Sequence, residues 1–443
     1  MDKAQREALA ARALALSQAN ATEVSVASED AALTRFTHNA IHQNVAYAQT
    51  SLRVRAVLGT RVGVASSNDL SAAGLERTVA RAFAIAKLVP PDPSLPPLTD
   101  APRADAPPGA FVGATAGVSP ATRAELAAQV FDRMRASELW AAGYVATASA
   151  GFTLANSAGT VQSFDNTNAG INVKANGSDA SGFAERYSCD VAALDARGRA
   201  AVAAEKASRS AHPIAVEPGR WTVILEPPAF GELLEYLAEH FSAQAFHEGS
   251  SFLSDGLGRP YVGENVTVWD DYAHPLNVGM PFDFEGTPTV RLPLIDRGVG
   301  VGIVTDARWA AALERANTGH ALPAPNAEGP QARHLVLEPG TASLDELIAD
   351  TERGLLVSRF WYVRAVDRRA TIVTGMTRDG TFLIERGKIV AGVRNLRFNQ
   401  SILESLRTAE FSRDCARTGG YSYSSVVPAA RIRNFTFTSV TEF

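Results

Sequence analysis

Cysteine is scarce in this chain: Cys189 and Cys415 are the only two in 443 residues. That excludes a disulfide framework and suits a reducing cytoplasm. No uninterrupted apolar run approaches the ~18–20 residues of a membrane span, so no membrane partner is expected. The opening stretch, MDKAQREALAARALAL, is charged from its second residue and lacks the apolar core of a signal peptide. Basic excess is missing as well. Lys and Arg total 42 against 47 Asp and Glu, giving a net charge of -5 and a pI near 6.0. A nucleic-acid partner is therefore not expected, because no surplus of cations exists to neutralise phosphates. What is present, 46% hydrophobic and 20% charged residues, is the composition of a globular protein. The length allows two or three domains of roughly 100–200 residues.

Along the chain, residues 2–19 carry Ala/Leu-rich helical patterning. Short alternating stretches follow at 21–28, 33–38, 41–48, 50–58 and 61–66, separated by Gly, Asn, Asp and Ser, which reads as an antiparallel meander. A helix over roughly 70–88 closes this unit. The segment 89–109 holds eight prolines; it can enter neither sheet nor helix and is expected to be an extended connector. The order then repeats: a helix from Pro120 behind a Ser119 N-cap, alternating stretches, and a helix over 193–210. Residue-level identity between the two passes is not evident. The first half, 1–215, is thus expected to be α+β, with helices laid on antiparallel meander sheets. From about 216 the texture becomes mostly β. A strand at 219–227 runs into a helix over 228–247, with further helices near 306–315 and 343–352.

The common catalytic patterns are absent. No HExxH occurs, and the one His-Glu pair, His247–Glu248, is followed by Gly, Ser, Ser and Phe. RGVGVGIV (297–304) lacks the third glycine of a dinucleotide fingerprint and reads as a glycine-softened strand at a close backbone contact. His38 and His42 sit in alternating surroundings, where a spacing of four puts them on one strand face about 13 Å apart. They read as sheet histidines. Arg378 and Asp379, in TGMTRDG, read as a hairpin turn.

One resemblance covers essentially the whole chain. Its pieces are the strand VILEP, the helix LLEYLAEH, then SSFLSDGLG, PFDFEGTPTVRLPLIDRG, NTGHALP, TGMTRDGTFLIERGKI and the tail GGYSYSSVVPAARIRNFTF. In this order they resemble the TldD/PmbA family of metallopeptidases. The most specific parts are DFEGTPT (283–289) and LIERGKI (383–389). The resemblance implies a zinc site on the LLEYLAEH helix, built from HExxxH and a later cysteine. Two imidazoles and a thiolate would hold the ion, and the Glu would act as general base.

Laid on this sequence, the first His falls on Glu235, the catalytic Glu on Tyr236 and the second His on His240. Cys415 is the candidate for the cysteine. Tyr236 cannot replace a carboxylate base near neutral pH, given a reference pKa of ~10. The expectation is therefore no metal and no catalytic residue in this chain, with Glu235, His240 and Cys415 as the candidate ligands should one persist. Leu233, Leu234, Leu237, Phe241 and Phe246 would be buried, with Glu235, Glu239 and His240 on the wetter side. The resemblance points to the TldE half of the family: a non-catalytic subunit beside a TldD-like, HExxxH-bearing paralogue that carries the zinc. Together they would hydrolyse unfolded or short peptides. Asp283, Glu285 and Gly286 of DFEGTPT are the candidate substrate-binding residues. The rivals are a self-contained metallopeptidase with a divergent Glu/His/Cys site, and a scaffold that binds peptides by strand addition.

Overall fold

A computed structural model describes residues 1–419 and 424–441. Residues 420–423, within the family-like tail, lie outside the described residues. The N-terminal half opens with α1 (Lys3–Ala15), held by a reciprocal cap in which Asp2 accepts from the Gln5 N–H and Gln5 accepts from the Asp2 N–H. Strands β1 (Ala21–Thr37), β2 (Ala40–Leu58) and β3 (Arg61–Ser67) follow, then α2 (Ala72–Leu88). A single turn, α3 (Gly113–Ala116), precedes α4 (Pro120–Arg135), whose N-cap is Ser119. Strands β4 (Trp140–Asn156), β5 (Val161–Asn176) and β6 (Ser181–Ser188) and helix α5 (Ala196–Arg209) complete the second pass.

The strands are longer and fewer than the sequence punctuation suggests. The five stretches between 21 and 66 form three strands, because β1 is paired on both sides through its polar middle. Asp30, for example, lies opposite Ala48 of β2 and Ser149 of β4. A residue of low strand propensity is carried when two ladders fix it. His38 also departs from expectation. It sits with Asn39 in the two-residue turn between β1 and β2, both at positive φ, and its ring stacks on Trp140 at 4.3 Å.

The two passes form one sheet in the order β3-β2-β1-β4-β5-β6, so the copies meet through β1 and β4. The duplication is written at residue level after all. RxxLAA occurs at Arg6–Ala11 and again at Arg123–Ala128. Both arginines are buried under the sheet. Arg6 donates to Ser28, Thr153 and Asp165, and Arg123 to Thr34 and Thr147. Gly63 of β3 and Gly182 of β6 match as well. A Cβ on Gly63 would stand 2.1 Å from the Ala82 carbonyl of α2, and one on Gly182 2.2 Å from the Ala203 carbonyl of α5. Each closing helix thus lies directly on glycine. The connector 89–109 has neither helix nor strand. It is pinned to the β4–β5 end by Ala101 N–H to Thr160 Oγ1 and Ala104 N–H to Gln162 Oε1.

The C-terminal half begins with β7 (Gly219–Leu225) and α6 (Pro227–Ala238), followed by α7 (Ala243–His247). Short strands β8 (Arg259–Pro260), β9 (Val268–Asp270), β10 (Leu292–Asp296) and β11 (Val299–Gly300) precede α8 (Ala307–Ala312), β12 (His334–Leu337) and α9 (Leu344–Ala349). Then come β13 (Arg353–Asp367), β14 (Ile372–Glu385), β15 (Lys388–Gly392), β16 (Leu396–Ser401), α10 (Ile402–Arg407), β17 (Glu410–Thr418) and β18 (Ser424–Val440). The pairings β14–β13–β7–β18–β16–β14 close a ring, and Phe360, Phe398, Phe435 and Phe437 stack in its core. Helix α10 has no counterpart among the expected helices. RGVGVGIV forms a strand only at Val299–Gly300, with a single further bridge from Val304 to Ser242, yet its close contact is real, since a Cβ on Gly302 would meet the Pro293 carbonyl at 2.1 Å.

Arg378 and Asp379 do not form a hairpin turn. They lie inside β14 at a bulge where Asp379 and Gly380 have positive φ and the register against β13 jumps. The bulge turns Asp379 inward, where it accepts from Arg359 Nε at 2.9 Å and pairs with Lys174 of β5 at 3.0 Å. One buried carboxylate therefore links the two halves.

Candidate functional site

Helix α6 follows from its sequence. Pro227 and Pro228 occupy its first turn, where no N–H is needed. Ala229, Phe230, Leu233, Leu234 and Leu237 are buried, packing on β13 and β18. The helix is shorter than expected. It tightens to a 3-10 turn over Glu239–Phe241, and Ser242 is extended before α7 begins. Glu232, Glu235, Tyr236 and Glu239 face a cavity of ≈ 390 Å³, closed on its other side by Glu328, Gln331, Arg333 and Ser424.

The three positions that the resemblance assigns to the motif do not act together. Burial pushes Glu235 up to about 7. Tyr236 donates its hydroxyl to the Val363 carbonyl at 2.5 Å, and burial with Glu232 beside it raises its pKa, so it stays a donor. His240 is buried, not on the wetter side. Its Nδ1 accepts from the Phe252 N–H and its ring lies 5.4 Å from that of Phe252. Burial, with Arg368 and Arg369 nearby, holds it down at about 4, hence neutral. Phe246 is only half-buried. Cys415 stands on β17 opposite Pro428 of β18, its thiol pushed up to about 11 by burial and Asp414. Among the described residues, no group of three or more His, Cys, Asp or Glu side chains is arranged to hold a metal ion.

What gathers instead is a set of carboxylates. Burial raises Glu232 and Glu185 of β6 to about 7, and each feels the charge of Glu235. Arg359 opposes this in both cases but is committed to Asp379. Glu232 sits one turn before Glu235 and was readable from helix period. Glu185 and Arg359 come from distant strands and left no local signal.

DFEGTPT forms a closed loop. Asp283 is buried, with Oδ1 accepting from the Glu285 and Thr287 N–H groups and Oδ2 from that of Ala321. Burial and Glu285 push it up to about 8, against those three donors. Glu285 accepts from the Ala307 N–H at the start of α8, and burial raises its pKa. Gly286 has φ +82, and its carbonyl accepts from Gln162 Nε2 of β5. The loop is thus a latch between halves that also presents Phe284 to a second cavity.

That second cavity, of ≈ 310 Å³, lies between the sheet face of the N-terminal half and residues 277–284, 333–334 and Arg417. It shares Arg333 and Ser424 with the cavity on α6, so the two adjoin. Its wall is set from behind by Asp270, which accepts from the Arg333 and His334 N–H groups. Burial would raise Asp270, but His320 at 3.3 Å and His334 hold it at about 2. The sequence displayed His320 in NTGHALP without indicating this pairing.

A family model described as the PmbA/TldA metallopeptidase C-terminal domain matches residues 218–439, and one described as PmbA/TldA metallopeptidase domain 1 matches 22–86. A metalloprotease of Methanothermobacter thermautotrophicus is 28% identical over 247 residues, 52% of this chain and 53% of that protein. An uncharacterized protein of Methanocaldococcus jannaschii is 26% identical over 220 residues, 48% of this chain and 50% of its own. The chain spans about half the length of these curated relatives. Among solved structures, TldE from Thermococcus kodakarensis superposes with a TM-score of 0.88 at 20% identity, covering 98% of this chain and 99% of that one. A candidate modulator of DNA gyrase from Thermotoga maritima gives 0.85 at 17% identity, covering 98% and 100%. At such identities the likeness shows the fold.

Proposed function

Because the chain belongs to the PmbA/TldA metallopeptidase family, we propose that it is a TldE-like, non-catalytic subunit of a cytoplasmic TldD–TldE-type peptidase. The observation that carries this reading is the state of α6. On the resemblance, Glu235 and Tyr236 fall at the positions of the first ligand and the base; Tyr236 is bonded to Val363, and His240 faces Phe252. A zinc set does not fit these residues, since the imidazole is turned to Phe252 and, among the described residues, no three His, Cys, Asp or Glu side chains are grouped to hold an ion. The metal and general base then belong to an HExxxH-bearing paralogue. This chain supplies cleft wall: the carboxylates of α6 in one cavity, Arg417 with the apolar surface of Phe152 and Phe284 in the other, and Arg333 lining both.

Co-expression with such a paralogue tests the proposal. The expected result is a complex that elutes as one species, with zinc tracking the paralogue and peptidase activity absent from this chain alone. Loss of a positioned general base by itself costs ~10²–10⁴-fold in rate. Stoichiometric zinc in this chain, lost on His240→Ala, would overturn the reading. So would two chains that stay separate at micromolar concentration.

A further inference from the structure

The cavity between the two halves is chemically one-sided. Phe152 and Phe164 of the sheet and Phe284 of the latch give it an apolar wall, and Arg333, His334 and Arg417 line the other side. Glu29 is the one carboxylate among its described lining residues, and Tyr47 and Gln49 already donate to it. Arg333 lies over the Phe284 ring at 5.0 Å. Arg417, on β17 opposite Val426, is half-buried. Among the described residues it has no ion-pair partner, and its Nε and the Nδ1 of His334 have no hydrogen-bond partner. A guanidinium withdrawn from water without an anion is costly, and its planar fork is matched to a carboxylate.

We propose that this cavity binds the C-terminal carboxylate of a peptide, an inference that rests on the peptide-binding role proposed above. Arg417 pairs with the carboxylate, and the last side chain packs against Phe152, Phe164 and Phe284. The rest of the chain runs back past Arg333 and Ser424, the residues shared with the cavity on α6. A volume of ≈ 310 Å³ lies at the small end of ligand pockets, suited to one chain end. The subunit would thereby set the register of a peptide by its terminus and not by its sequence.

The test is fluorescence anisotropy on this chain alone. The probes are N-terminally labelled hexapeptides without charged side chains, one a free acid and one a C-terminal amide. A third, amidated, carries one internal glutamate. The free acid should bind about tenfold more tightly than the plain amide, as expected for a charge-assisted bidentate contact. Arg417→Gln should remove that difference by weakening the free acid far more than the amide, and Arg417→Lys should keep part of it, which also shows that the site still folds. Equal binding of acid and amide, or a preference that survives Arg417→Gln, overturns the carboxylate site but leaves the subunit proposal standing. An internal glutamate as effective as the free acid overturns the terminal assignment. If no peptide binds, the site is overturned, and the cleft role of this chain falls with it, while association with the paralogue is judged separately by co-elution.

Discussion

Replacing Glu235 by Gln should flatten the dependence of stability on pH. In the folded chain burial keeps the Glu235 proton up to about pH 7, whereas the ordinary value is 4.5. Between those values the folded state binds a proton that the unfolded state has released, so stability is full below about 4.5 and falls as pH climbs through 7. A shift of that size corresponds to at most ~3 kcal/mol at 1.36 kcal/mol per unit. Because Glu235 lines an open cavity, partial solvation reduces the expected effect to about 1–3 kcal/mol. Two neighbours act in the same direction. Glu232 and Glu185 are raised to about 7 by burial and then by Glu235, so removing its charge lets both ionise more easily.

Urea unfolding of wild type and Glu235→Gln at pH 5 and pH 8 provides the measurement. Wild type should lose stability toward pH 8, and the variant should lose less, ending more stable than wild type at pH 8. Comparing the two cancels other titrations, including those of Glu23 and Asp283, which burial also raises, and of His240 and His334, which burial lowers. A variant as steep as wild type would refute the account of α6 as a helix bearing protonated carboxylates.

Three further outcomes are expected. Asp379→Asn removes the buried anion that holds Arg359 and Lys174, and should cost about 3–5 kcal/mol in chemical unfolding; a loss under ~1 kcal/mol would mean that the link between halves is incidental. Gly182→Ala drives a methyl into the Ala203 carbonyl and should cost about 1–3 kcal/mol, read as a lowered Tm, whereas the exposed Gly59, with no neighbour within 4 Å of a Cβ, marks a position where crowding plays no part. The double change Glu235→His, Tyr236→Glu should not raise zinc affinity in a titration, because His240 remains turned to Phe252 and the described residues form no group arranged to hold a metal ion; a gain would show that the ligands converge.

The α+β class, the closing helices and the change of texture after α5 were legible because they rest on local signals: periodicity, caps such as Ser119, and proline density. Strand lengths were not, because the residues that looked like breaks, Asp30 among them, are held by ladders from chain segments on both sides. The duplication was legible in principle. RxxLAA at Arg6 and Arg123 pairs two helix starts, but its meaning appears only when both arginines are seen buried under one sheet.

The site divides in the same way. The expectation that Glu235 and Tyr236 stand in place of a ligand and a base came from the resemblance and the residue chemistry of the helix alone. The direction of His240 could not be read that way. The helix stops at Ala238, the following turn tightens, and the imidazole lies against Phe252 in the core, none of which a sequence position can show. The same holds for DFEGTPT, where acidic letters suggested an open recognition loop. Asp283 instead spends its oxygens on three backbone N–H groups, and what the loop offers the cleft is Phe284. Arg417 carried no signal at all, because a guanidinium becomes informative only once no carboxylate among the described residues is seen to pair with it. Where function depends on what a charge is missing, sequence supplies the charge and the fold supplies the vacancy.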